Sequence, residues 1–466
     1  MKIDVTINTP LADGEELPDT IFTLMPGTIV AILHHAEVPS VQFICKKFYH
    51  CAMEEDKASE DYDFEATRLR LYHGRLYTSG NNLAGQCGAE PDTPWLCDFH
   101  WVRLPPVLDL ASAGNATFAY TSQGIFAWGS NTHGRLGIGS HHVSDTCSAP
   151  RRVQLDGIRL VRPYERVTLF FTQTAIFAAG WNKFGTAGVG STKHHIIATP
   201  ERVSVSGWVD EVWSFDRVTF FRTRKGLFAC GHNLNGALAL GADEMPGLVD
   251  RVIPSPVLVP LPPDIRVTDV RHSGHSTFFL SGRRCFVAGA NEFGQLGCEH
   301  SVELPLTELE LPVDDLISAC GSTVLRSGCQ LFACGSNIFS RFPLPGATLE
   351  TPTPLSLPWP VQAVALGNAF FAQREDGAWF TRGRNNHAKL GVVSTEAEID
   401  WNQIAVDSVD EIYSGHDATL FVTHDGIKAA GWVGLRVGEP HPCDVVDPRT
   451  VMTQGPVPAR AQPMAL

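Results

Sequence analysis

The sequence predicts an all-β fold, a single β-propeller of four-stranded blades preceded by an irregular N-terminal extension. Three observations carry this. A glycine-rich text recurs along the chain, its period is near fifty residues, and each copy follows short apolar runs separated by turn residues. The text is clearest at Ile125-Phe126-Ala127-Trp128-Gly129-Ser130-Asn131-Thr132-His133-Gly134-Arg135-Leu136-Gly137. It returns at 176–190, 227–241 and 285–297, and in weaker form at 76–88, 331–342, 378–391 and 427–438. The first glycines of the eight copies are Gly80, Gly129, Gly180, Gly231, Gly289, Gly335, Gly383 and Gly431, spaced 46 to 58 residues apart. A unit of that length cannot bury a core alone, so the copies must lean on one another as one body.

The second copy shows the internal grammar. Val107 to Ala113 reads as a strand, Thr117-Phe118-Ala119-Tyr120-Thr121 as the next, and Ser122-Gln123-Gly124 as a turn. Ile125 to Trp128 forms the third strand, and Pro150 to Leu155 a fourth, with Pro at its edge. Between the third and fourth, the chain must reverse sharply, and Gly129 with Asn131 is expected to supply positive φ. Leu136 should then tuck between blades, with Gly137 allowing close approach. Seven intervals separate the eight glycines, which favours seven blades; eight is the alternative, because 67–80 already carries a hairpin. The expected boundaries are an extension at 1–60, whose strands either join the ring or stand apart, the propeller at 61–445, and a flexible tail at 446–466.

Composition narrows the function classes. A formal net charge of −14 and the lack of any Lys/Arg run argue against direct nucleic-acid binding, which needs clustered cations. Met1-Lys2-Ile3-Asp4-Val5-Thr6 has no basic run leading into an apolar one, and the early apolar stretch 21–33 is broken by Pro26-Gly27. Neither a secretory signal nor a membrane span is expected, so the sequence reads as an intracellular protein, cytoplasmic or nuclear. The twelve cysteines contain no CxxC pair. Cys230 and Cys334, each directly before a first glycine, read as small buried hydrophobes. Glu54, Glu55, Asp56, Glu60, Asp61, Asp63 and Glu65 form an acidic stretch that reads as a solvated loop.

Covalent catalysis finds no support. GxSxG, HExxH and GxxxxGK[ST] are all missing, and Gly274-His275-Ser276 lacks the second glycine of a nucleophile elbow. No catalytic residue, cofactor or metal site is expected. The pairs His34-His35, His141-His142 and His194-His195 read as loop histidines, because neighbours on extended chain diverge. An insertion, Asp243-Glu244-Met245-Pro246-Gly247-Leu248, lengthens one interval and suits either a binding loop or a tolerated addition. The informative positions lie in the turn before each Thr-led strand: Asn115, Arg166, Arg217, His275, Gly321, Asn368 and Asp417. In a propeller these turns gather on one face around the central channel. All but Gly321 are polar, and they read either as hydrogen-bonding to loop backbone or as a partner-binding rim.

The recurring Phe-Ala-Xaa-Gly-Xaa-Asn-Xaa-Xaa-Gly-Xaa-Leu-Gly resembles the regulator of chromosome condensation family of propellers, over roughly 64–445. The half-motifs Ser273-Gly274-His275-Ser276-Thr277-Phe278 and Ser414-Gly415-His416-Asp417-Ala418-Thr419 carry the same resemblance. It implies a seven-bladed ring closed by the two chain ends. It also implies that such turns can face a Ran-type small GTPase and help expel its nucleotide, with His275 and Asp417 the positions most like those contacts. Arg166 and Arg217 depart from the family's Gly-Xaa-His-Thr text, and the basic tail used on chromatin is replaced by an acidic stretch. The sequence therefore reads first as a monomeric, non-catalytic interaction propeller, an adaptor or scaffold subunit for protein partners. A guanine-nucleotide exchange factor for a small GTPase is the rival reading.

Overall fold

Short antiparallel strands and tight turns make up the computed structural model; among the described residues there is no α-helix. Described are residues 3–5, 22–24, 67–72, 74–82, 84–89, 95–113, 115–139, 145–240, 251–299, 301–367, 369–385, 388–392, 398–406, 408–414, 418–423, 426–431 and 464–465. The acidic stretch, His34-His35, His141-His142, the 243–248 insertion, Asn368 and Asp417 lie outside them.

The chain is an all-β propeller protein, and its sheets follow the repeat. Four-stranded blades span 107–152, 158–202, 209–258, 269–308, 315–355 and 361–403, in simple up-and-down order. We number them blades 2 to 7 and their strands a to d. Blade 1 (67–102) has strands b, c and d, and blade 8 (409–431) has a, b and c. Eight glycine-bearing hairpins are thus described, one per sheet. Ile3–Val5 pairs with Phe22–Leu24 in a separate two-stranded sheet, and Met464–Ala465 pairs with the first strand of blade 7.

The chain divides into two compact units. Unit 1 holds 1–204 and the turn 214–217, hence blades 1 to 3; unit 2 holds 205–213 and 218–466. Strand b is covered on both faces, so it reads as an apolar run broken only by its threonine: Ala116 to Ala119, Val167 to Phe170 and Val218 to Phe221 are all buried. In unit 1 the Phe118 and Phe170 rings meet edge to face at 6.1 Å, and buried Trp128 donates from Nε1 to the Gln86 carbonyl of the preceding blade at 2.9 Å. In unit 2 the pairs Phe220–Phe279 and Phe342–Phe370, both at 5.4 Å, join consecutive blades in the same way. Each such pair contributes about 0.5–1.5 kcal/mol beyond its buried area. Leu136 is fully buried, and a Cβ at Gly137 would lie 3.0 Å from Phe170 and Pro200, as the expected close approach requires.

Two sequence expectations are corrected. Strand d of blade 2 begins at Thr146, not Pro150, and its register against strand c shifts between Ala127 and Gly129. The same shift recurs in blades 1 and 3 to 7, a bulge that accommodates prolines such as Pro150, which have no N–H for the ladder. The motif asparagine, moreover, does not supply positive φ: Asn131 has φ −111° and Asn337 φ −116°. Its side chain does the work instead. Asn182 Oδ1 accepts from Ala187 N at 3.3 Å while Nδ2 donates to the Ser191 and His194 carbonyls at 2.7 and 3.3 Å. Asn291 and Asn337 clamp their loops through the same pattern.

Candidate functional site: the turns before strand b

The turn between strands a and b is locked from behind in blades 2, 3, 5 and 6. The carbonyl of its predicted rim residue accepts from the N–H that follows the first glycine: Asn115 from Ser130 at 2.6 Å, Arg166 from Trp181 at 2.9 Å, His275 from Ala290 at 2.9 Å, and Gly321 from Ser336 at 2.7 Å. Those oxygens stand where a Cβ on Gly129, Gly180, Gly289 or Gly335 would fall, and the four glycines hold φ between +94° and +124°. This is why the repeat text and the rim go together: the glycine exists so that the turn carbonyl can sit against it.

A second tie comes from the Xaa of Gly-Xaa-Leu-Gly, which sequence reasoning passed over. Buried Arg135 donates from Nη1 to the Glu165 carbonyl at 2.8 Å, in the turn of the next blade. Buried Arg341 does the same to the Gly367 carbonyl at 3.2 Å and also reaches Ser322 Oγ at 2.9 Å. Gln86 Nε2 reaches Asn115 Oδ1 at 3.3 Å. Backbone is fixed in this way, which leaves the rim side chains free to differ from blade to blade.

In unit 1 the structure brings two predicted residues together. Arg166 and Arg217 share one carboxylate, Asp216: Arg166 Nε meets Oδ1, and Arg217 Nε lies 3.3 Å from Oδ2. The Arg166 guanidinium lies over the Trp181 ring at 4.4 Å, and that of Arg217 over Phe184 at 4.9 Å. Trp181 and Phe184 meet edge to face at 5.1 Å, and His133 leans on Trp181 at 5.5 Å. Burial, then the Arg166 charge, holds the His133 pKa below the usual histidine range, with Asp145 opposing. Both arginine side chains stay about a third exposed, at 32% and 39%. Asp216, Trp181, Phe184 and His133 were not foreseen. The legible signal was Trp181, which stands directly after the first glycine where other copies place Ser130, Ala290 or Ser336.

In unit 2, His275 is partly exposed, and the neighbouring His272 is the better defined group. Thr277 Oγ1 donates its one proton to the Ala237 carbonyl at 2.7 Å, so at 2.9 Å it must accept from His272 Nδ1. His272 therefore carries a proton on Nδ1. Burial first, then the His275 ring, pushes its pKa down to about 4, against a Gly274 backbone contact that raises it. His194 and His195 are exposed, and among the described residues no group of His, Cys, Asp and Glu is arranged to hold a metal ion. Cys230 and Cys334 are fully buried, and burial raises both thiol pKa values well above the usual range. Among the described residues no helix is long and apolar enough to cross a membrane.

A family model described as Regulator of chromosome condensation (RCC1) repeat matches residues 123–162. The chain is 27% identical over 242 residues to the Ultraviolet-B receptor UVR8 of Arabidopsis thaliana, across 49% of this chain and 52% of that protein. It is 30% identical over 131 residues to the Secretion-regulating guanine nucleotide exchange factor of Bos taurus, across 26% of each. The chain spans about half the length, or less, of these curated relatives. Among solved structures, human WBSCR16 superposes with a TM-score of 0.47 at 18% identity, covering 74% of this chain and 96% of that one. Yeast RCC1 (Prp20), solved with Kap60, gives 0.46 at 16% identity, covering 81% and 93%.

Proposed function

We propose that the chain, which is similar to the regulator of chromosome condensation repeat at residues 123–162, is a non-catalytic propeller that presents its strand-b turns to protein partners, as an adaptor or scaffold subunit. One observation carries this reading. The turn backbones at Asn115, Arg166 and His275 are fixed by a repeated carbonyl–glycine lock, while their side chains and that of Arg217 keep part of their surface in water. A purely structural turn has no use for two arginines, each about a third exposed, already placed over aromatic rings. Asn368 and Asp417 join the rim in this reading through their place in the repeat. Action inside the cell, in cytoplasm or nucleus, suits the free cysteines of the chain, buried Cys87, Cys230, Cys285 and Cys334 among them.

The test is site-specific photo-crosslinking. A photoreactive residue at Arg217 or His275 is compared with one at Arg224, which follows strand b in blade 4 at the opposite end from the rim turn. Enrichment of a discrete partner at the first two positions supports the rim; equal or stronger capture at Arg224 removes it. The similarity to the bovine exchange factor favours a second reading, nucleotide exchange on a small GTPase. There the rim stabilises the nucleotide-free partner and so lowers its affinity for GDP by linkage. Purified chain added to a panel of GDP-loaded small GTPases decides between the two. Accelerated release that is lost on His275→Ala replaces the adaptor reading.

A further inference from the structure

We propose that the cluster of Arg166, Arg217, Trp181 and Phe184 in unit 1 receives an acidic segment of a partner protein, its carboxylates seated on the two guanidinium forks. The inference rests on the rim reading above and adds the chemistry of what binds. Its first support is the mismatch of charge: the chain carries −14 overall, yet here two guanidinium groups share a single carboxylate. Both reach Asp216 through Nε, the inner nitrogen, and among the described residues neither forms a hydrogen bond through its terminal Nη groups. Those outer nitrogens form the edge that takes a carboxylate in bidentate fashion.

Pre-organisation is the second support. Each guanidinium lies over a ring, at 4.4 Å on Trp181 and 4.9 Å on Phe184, so its position is supported without spending a donor. Exposed Lys183 adds a third cation, its Nζ 5.7 Å from the Phe184 ring. Exposed Glu165 and Asp145, which acts on His133, are further carboxylates nearby; among the described residues Glu165 forms no ion pair, and its carbonyl is held by Arg135. Burial, then the Arg166 charge, lowers the pKa of neighbouring His133. The two guanidinium groups thus share only Asp216 as an ion-pair partner, and their two outer forks are open. The patch is short and the chain strongly acidic, which suits a few carboxylates of a peptide and disfavours a long polyphosphate track.

The experiment measures fluorescence anisotropy of a labelled peptide of alternating glutamate and serine at low ionic strength, against the purified chain. Three further arms use the glutamine analogue of the peptide, a single-stranded oligonucleotide, and charge-matched variants. Saturable binding of the glutamate peptide is expected, weakened at least about tenfold in Arg166→Gln/Arg217→Gln. The control Arg151→Gln/Arg202→Gln, which removes two exposed cations from strands d, should stay within about twofold of wild type. Should the glutamine variant melt early, Arg166→Lys/Arg217→Lys keeps the charge and loses the fork, and a several-fold weaker affinity at unchanged melting temperature is expected. Affinity unchanged in the glutamine or lysine variants, equal binding of the glutamine peptide, preference for the oligonucleotide, or no binding at all would each overturn the proposal. If crosslinking at Arg217 still captures a partner while the glutamate peptide fails, the acidic chemistry falls and the rim reading stands.

Discussion

Replacing Gly129 by Ala tests the lock between the repeat glycine and the turn carbonyl. Gly129 holds φ +96°, and a Cβ there would collide with the Asn115 carbonyl oxygen and lie 3.2 Å from Ala116 Cα. An alanine held in left-handed geometry costs about 1–2 kcal/mol. Moving the carbonyl away weakens the 2.6 Å bond from Ser130 N, about 1 kcal/mol more, and disturbs the packing of buried Ala116. A total loss of about 3–5 kcal/mol is expected, large for a single site. Gly383 and Gly157 separate the two causes. Gly383 has φ +125° but its nearest neighbour to a Cβ is 3.5 Å away; Gly157 has φ +69° and open space. Their alanine variants should lose only the strain, about 1–2 kcal/mol. Urea unfolding followed by tryptophan fluorescence gives the three midpoints. Equal losses at Gly129 and Gly383 would refute the argument that the carbonyl, rather than the backbone angle alone, dictates glycine here.

Further expectations follow from individual contacts. The unfolded chain protonates His272 near 6.5 and the folded chain only at about 4, so its contribution is full above about 6.5 and is lost as pH falls towards 4. Up to about 3 kcal/mol is at stake, and His272→Gln should flatten the pH dependence of the urea midpoint in that window. Asn182→Ala removes three hydrogen bonds from a side chain that is 1% exposed, and should cost about 2–4 kcal/mol and speed proteolysis of the loop at 191–195. Arg166→Gln removes a charge that depresses His133, so the His133 pKa, followed by NMR, should rise. Thiol labelling of the native chain should reach exposed Cys329 long before Cys87, Cys230, Cys285 or Cys334, all buried with raised pKa.

What the sequence by itself determined is the module. Period, strand order and the need for glycine are local: a turn that reverses sharply and a strand covered on both faces each leave their mark within a few residues, at Gly129 and at Val218 to Phe221. The buried place of Cys230 and Leu136 was legible for the same reason. The role of the motif asparagine was not, because its clamp joins Asn182 to carbonyls nine and twelve residues on, and side-chain geometry rather than backbone angle makes it work. Only the tertiary structure assembled the Arg166–Arg217 cluster. Arg166 comes from one blade, Arg217 and Asp216 from the turn that enters the next, and Trp181 and Phe184 from the glycine loop between them. In the text they are scattered single departures from a repeat. They meet within unit 1 because folding sets the loop that holds Phe184 against the turn 214–217, and charge and stacking act across that contact, where sequence distance has no meaning.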